Sequence, residues 1–110
     1  MRRYCLALDL KDDPKLIEEY RWHHEHVWPE VAESIRRAGI ENLEIYLLGN
    51  RMFMILEVNN LFSWEAKQKA DAENRSVQEW EQLMARFQQV LPMAKPGEKW
   101  LLMERIFAVQ

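Results

Sequence analysis

Two long stretches of helical periodicity, each bracketed by short apolar runs, constrain this chain more than any other feature. In the first, Leu16, Ile17, Tyr20, His24, Val27, Trp28, Val31, Ile35 and Ala38 follow the i, i+3, i+4, i+7 spacing of a helix packed on a core. The second, from Leu61 to Gln89, is strongly helical in composition, with Trp64, Trp80, Leu83, Met84 and Phe87 as apolar anchors. The runs around them, Tyr4–Leu10, Leu43–Leu48, Met52–Val58 and Trp100–Phe107, have the length and apolar character of strands. Only Gly49-Asn50-Arg51 separates the middle two, which predicts a tight antiparallel hairpin. A chain of 110 residues has room for one core, so all these elements must share it.

The element order is therefore β-α-β-β-α-β, read as a single domain over residues 1–110. It predicts an α+β fold of the ferredoxin-like kind: a four-stranded antiparallel sheet with two helices on one face. Local signals agree. Asp12 or Asp13 ahead of Pro14 supplies an N-cap and a first-turn proline, and Gly39 is a natural stop after Ala38. Pro29 falls inside the first helical pattern and must break or kink it, because its ring clashes with the carbonyl four residues back. Asn74 offers an interruption and cap in the second.

The strands raise an exposure problem. Met52, Met54 and Leu56 alternate with Phe53 and Ile55, and Leu101, Met103 and Phe107 with Trp100, Leu102 and Ile106. Both parities are apolar, yet two helices cover one sheet face only. A second copy laid sheet against sheet covers the other, so a homodimer, a dimeric α+β barrel, is expected.

Composition excludes several function classes. Hydrophobic residues make up 48% and charged residues 30%, as in an ordinary soluble globule. A net charge of −3 and the lack of a basic stripe argue against nucleic acid. No run reaches the apolar length of a membrane span, and no signal-peptide core follows the N-terminus. Cys5 is alone, so no intrachain disulfide forms, and a cytoplasmic location is expected. Set in an apolar run, it reads as a buried, inert thiol.

The chemistry concentrates in Glu19–Glu30, where three histidines, one tyrosine and two tryptophans crowd the first helix. Tyr20 and His24, four residues apart, lie on one face one turn apart, so a phenol and an imidazole can share one small polar ligand. Imidazole exchanges protons near neutrality. The competing reading makes Tyr20 and Trp28 packing residues and His24 a satisfied helix histidine. The bend at Pro29 tilts the balance toward a pocket beside His24 and Trp28. His23 and His26 read as solvent-facing. The three histidines lack the i, i+4 pair of helical metal sites, so no metal is expected.

Glu-Glu-Tyr-x-x-x-His with Trp-Pro-Glu just downstream, at Glu18–His24 and Trp28–Glu30, resembles the L-rhamnose mutarotase family. The resemblance extends over essentially the whole chain, through Tyr46, Gln78-Glu79-Trp80-Glu81 and Glu104-Arg105-Ile106-Phe107. It implies a dimeric ferredoxin-like enzyme that interconverts the α and β anomers of 6-deoxy-L-sugars without metal or coenzyme. It further implies that His24 is the proton donor, that Tyr20 holds the sugar, and that Trp80 walls the pyranose, with Trp28, Tyr46 and Glu81 as further substrate-binding candidates. The partner acid or base is open among Glu81, Glu25 and Tyr46. Two departures stand out: the family's rhamnose enzymes carry a tyrosine where this chain has Leu43, and a tandem tryptophan where it has Trp80-Glu81. The tail Pro92–Trp100, with Met103-Glu104-Arg105, is similar to the L-fucose branch, which makes L-fucose the favoured sugar over L-rhamnose. Two alternatives remain: a cofactor-free oxygenase of the same fold type, using the methionines Met52, Met54 and Met103 to line an apolar cavity, and a non-catalytic dimeric module that binds a small molecule.

Overall fold

The computed structural model describes residues 2–110; Met1 lies outside them. Among the described residues the order is β1 (Arg2–Leu10), α1 (Pro14–Glu25), α2 (Pro29–Arg37), β2 (Ile40–Leu48), β3 (Arg51–Val58), α3 (Trp64–Glu73), α4 (Arg75–Ala85), β4 (Gln88–Gln89) and β5 (Leu101–Leu102). The strands form one antiparallel sheet in the order β2-β3-β1-β4, with β5 also paired to β1. This is the expected ferredoxin-like α+β arrangement, with its sheet left open in the single chain.

Each expected helix is divided in two, and each division has a cause in the sequence. Asp13 caps α1, its side chain accepting from the backbone N–H of Lys15 at 2.9 Å, a contact worth about 1 kcal/mol. Pro29 does not kink a continuous helix. It ends α1 at Glu25 and becomes the first residue of α2, where a missing N–H costs nothing. Residues 26–28 span the break. Asn74 closes α3 and opens α4, its side chain accepting from Val77 N–H at 3.2 Å.

After α2, Gly39 takes φ +94°, and a Cβ there would stand 2.5 Å from Asn59 Oδ1, so both backbone and space require glycine. The β2–β3 hairpin turns through Gly49 and Asn50, with positive φ at Gly49.

The final strand departs from expectation. In place of a strand from Trp100 to Phe107, pairing is confined to Leu101 and Leu102 opposite Ala7 and Leu6, and a single further bond joins Met103 N–H to the Cys5 carbonyl. The sheet edge is shared with a short strand not foreseen, β4, which places Gln88 opposite Leu10. The second helix was expected to continue to Gln89 but stops at Ala85.

Alternation along the strands sorts the side chains. Leu6, Leu8, Leu10, Met52, Leu56 and Val58 turn toward the helices and are buried. One cluster gathers Leu8, Leu10, Met52, Tyr20, Trp80 and Phe87, and a second gathers Leu6, Leu56, Val58, Ile40 and Phe62. On the other face Phe53 and Ile55 are half-buried, while Tyr46 and Leu48 are exposed. Cys5 also lies there, half-buried rather than sealed in a core. Among the described residues no helix is long and apolar enough to cross a membrane.

Candidate active site

A cavity of about 500 Å³ opens between the sheet and the helices. Leu6, Ile40 and Leu56 from one core cluster and Tyr20, Trp80 and Met84 from the other line it, so it lies where the two clusters meet. Its size falls within the range of small-molecule sites.

α1 brings Tyr20 and His24 to this cavity, their ring centroids 4.4 Å apart. His24 Nδ1 lies 2.9 Å from the Tyr20 backbone carbonyl. A carbonyl only accepts, so Nδ1 carries the proton and Nε2 of the neutral ring keeps a free lone pair. Burial pulls the His24 pKa below its ordinary 6.5; the bond to the Tyr20 carbonyl opposes this, and the neighbouring His23 reinforces it. The neutral, basic imidazole is therefore the prevailing form at pH 7.

Tyr20 is buried, and its phenol oxygen accepts a hydrogen bond from Gln88 Nε2 at 3.2 Å. Burial raises its pKa above 10.0, with the Gln88 bond pulling the other way, so Tyr20 keeps its proton throughout the physiological range. An uncharged base and an uncharged acid thus sit side by side.

Trp80 presents its ring edge-on to His24 at 5.7 Å and to Trp28 at 5.2 Å. Trp80 lines the cavity, whereas Trp28 stands behind it as a buttress. The cavity is also lined by a Lys67–Asp71 ion pair on α3 and by Glu81 on α4. Burial raises the Glu81 pKa, Asp71 adds to the rise, and Lys67 and Lys99 counter it.

The structure thus gathers His24, Tyr20, Trp80 and Glu81 and sets Trp28 in support. Tyr46 is the exception. It pairs with Phe53 on the face turned away from the helices and is 53% exposed, while Leu43 and Ile45 of the same strand line the cavity. Strand parity, the reason it cannot replace a tyrosine at Leu43, also removes it from the site. Glu25, the last residue of α1, is exposed and is not among the lining residues. His26 is exposed as expected, but His23 is half-buried against Phe87 at 5.5 Å.

Sequence reasoning missed Gln88, Trp64, Trp100 and the Lys67–Asp71 pair, all of which line the cavity. Two of these bear buried polar atoms with no partner among the described residues, Trp64 Nε1 and Gln88 Oε1. No local pattern reveals Gln88, which lies within the helical composition of residues 61–89; only its pairing with Leu10 turns it toward Tyr20.

The fold and the cavity together define a ferredoxin-like α+β protein that brings an imidazole, a phenol and an indole to one small-molecule-sized cavity. The chain belongs to the L-rhamnose mutarotase family, whose profile matches residues 3–109, and is therefore an isomerase-type enzyme. It is 48% identical, over 99% of its own length and 89% of the relative's, to an L-fucose mutarotase of Xanthomonas campestris pv. campestris. The crystal structure of L-rhamnose mutarotase FA22100 from Formosa agariphila superposes over 100% of both chains with a TM-score of 0.73 at 22% identity. A dimeric ferredoxin-like protein from an uncultured marine organism matches with a TM-score of 0.55 at 13% identity, covering 98% of this chain and 91% of that one. These two structures bear on the fold alone.

Proposed function

We propose that this mutarotase interconverts the α and β anomers of a 6-deoxy-L-hexose and acts faster on L-fucose than on L-rhamnose. The observation that carries the reading is the His24–Tyr20 pair lining, beside Trp80, a cavity large enough for a monosaccharide. The 48% identity to an L-fucose mutarotase supports the sugar class.

Ring opening requires a base at the anomeric hydroxyl and an acid at the ring oxygen, and both oxygens sit on one carbon. The two catalytic groups must therefore be close neighbours, as Tyr20 and His24 are. His24 Nε2 takes the anomeric hydroxyl proton, the C1–O5 bond breaks as the carbonyl forms, and the Tyr20 phenol delivers its proton to O5. After the aldehyde turns, closure returns the hydroxyl proton of O5 to Tyr20 and the His24 proton to the carbonyl oxygen. His24 is thus the base in one direction and the proton donor in the other. Acid–base assistance of this kind contributes roughly 10²–10⁴-fold. Of the three partner groups the sequence left open, Glu81 alone lines the cavity, and its exposed carboxyl suits hydroxyl recognition better than proton delivery at the anomeric carbon.

That assignment gives the sugar preference a physical basis. L-Fucose and L-rhamnose differ in hydroxyl configuration at C2 and C4, and a carboxylate acceptor beside Trp80 reads such a difference more sharply than an apolar wall does. Exchange spectroscopy between anomeric protons, with each sugar below saturation, tests the proposal. Faster exchange of L-fucose is expected, and Glu81→Trp should move the preference toward L-rhamnose. Equal acceleration of both sugars by the wild type would remove the fucose preference; acceleration of neither would remove the proposed substrate class.

The proposed assembly is a homodimer. The outer sheet face carries Phe53 and Ile55, and beyond β5 the tail exposes Ile106 at 89% and Phe107 at 79%. This tail and the outer sheet face border a groove of about 810 Å³, lined by Tyr4, Cys5, Phe53 and Phe107 among others. A second copy supplies apolar surface of the same kind, as expected of a two-fold interface.

A further inference from the structure

Gln88 has no role in the scheme above, yet it is the residue that holds Tyr20. It stands on β4, paired with Leu10, so the register points it to the helix side of the sheet. Its Nε2 donates to Tyr20 Oη at 3.2 Å. Its Oε1 is buried and has no partner among the described residues, in a side chain that lines the cavity. Buried amide oxygens are nearly always satisfied, and one left unpaired beside a ligand cavity calls for an explanation.

The chemistry of the phenol supplies one. A tyrosine hydroxyl has one proton to give and lone pairs to receive. Because Gln88 Nε2 occupies a lone pair, the Tyr20 proton is left for another acceptor. When that proton passes to the sugar, the same N–H faces the phenolate that forms and stabilises it. A charge-assisted bond of this kind is stronger than its neutral counterpart, so the contact strengthens as the proton is transferred.

Building on the acid role given above to Tyr20, we propose that Gln88 is the positioning residue of the site: its amide N–H aims the Tyr20 proton at the sugar and steadies the phenolate, while its Oε1 accepts a hydrogen bond from a sugar hydroxyl. The two halves of one side chain thereby tie acid catalysis to the presence of substrate.

Q88E and Q88L separate this role from simple packing. Glutamate nearly matches glutamine in shape but offers an ionised acceptor, which draws the Tyr20 proton away from the sugar and repels a phenolate. Leucine removes both polar atoms and keeps an apolar filler. With L-fucose followed by anomeric exchange, Q88L should raise KM and lower kcat by about five- to tenfold each, the order of one lost hydrogen bond apiece. Q88E should lower kcat further than Q88L despite its better shape match. In Q88L, the Tyr20 ring carbon signal under alkaline titration should also move to higher pH, since a bond that favours the phenolate has gone.

Full wild-type kcat in Q88E would overturn the proposal, because it would mean that the amide accepts from the phenol instead of donating to it. Unchanged kinetics in Q88L together with an unmoved Tyr20 titration would overturn it as well, and this arm decides the matter if the glutamate variant does not fold. Failure of the underlying reading has a different signature. In that case Tyr20→Phe and His24→Ala would both exchange fucose at the wild-type rate, whatever the Gln88 variants do.

Discussion

The two faces of the sheet each carry apolar side chains and meet opposite fates. On the inner face Leu6, Leu8, Met52 and Leu56 disappear beneath four helices, and where the packing parts it leaves a cavity edged by His24, Tyr20, Gln88 and Glu81. On the outer face Phe53 and Ile55 form a narrower apolar strip, flanked by the Asp9–Arg51 and Arg3–Glu57 ion pairs, with Tyr46 and Leu48 standing out from it at 53% and 86% exposure. Apolar strand residues alone therefore do not mark the candidate site. The helices decide, because they alone bring an imidazole, a phenol and a carboxylate over apolar ground, where burial shifts their proton affinities.

The largest expected effect tests that contrast directly. His24→Ala should lower anomer exchange by roughly 10²–10⁴-fold in folded protein, the contribution of one positioned acid–base group. His26→Ala, at an exposed ring, should change it little. His23→Ala removes a ring packed on Trp80 and Phe87 and should act through stability, with exchange per folded molecule largely kept. Tyr46→Phe on the outer face should leave the rate at the wild-type level. A loss in Tyr46→Phe as deep as in His24→Ala would reverse the assignment of the two faces.

The outer face carries the next prediction. If a second copy covers it, light scattering at micromolar concentration should give about twice the 13.3 kDa chain mass. A double change of Ile106→Asp and Phe107→Asp places two charges in the apolar tail beside that face and should return the mass to that of one chain. A wild type that is monomeric across the concentration series would leave the outer face open and sink the homodimer.

Much of this contrast is legible in the sequence. Helical spacing places Tyr20 and His24 together, Pro29 and Asn74 mark both helix breaks, and parity separates Leu43 from Tyr46. These are short-range facts, each settled within a few residues. What sequence does not reveal is long-range. Gln88 reaches Tyr20 only because Leu10 pairs with it across the sheet, and Gln-Gln carries no strand propensity to announce β4. The tail after Leu102 has the apolar alternation of a strand, yet among the described residues its pairing ends with Leu101 and Leu102 and one further bond from Met103 N–H to the Cys5 carbonyl. Apolar alternation reports a surface that needs covering without saying which molecule covers it.

The smallest effect is a pH dependence whose sign follows from the inner face. In the fold, burial holds the His24 pKa below 6.5, while in the unfolded chain it returns to that value. Between the two pKa values the unfolded chain binds more protons, so stability rises with pH across this window. The His24 contribution is present in full above pH 6.5 and is lost as pH falls through the folded pKa. Urea unfolding from pH 7.5 downward should show the wild type losing more stability than His24→Ala over that span. Exchange should follow the same proton, since a protonated Nε2 is no longer a base: the acid limb of the rate should have its midpoint below 6.5. The raised Tyr20 pKa keeps the phenol protonated and should push any alkaline limb beyond pH 10. An acid midpoint above 6.5 would mean that bound sugar or a carboxylate such as Glu81 holds His24 in its charged form, and the roles of base and donor in ring opening would then exchange.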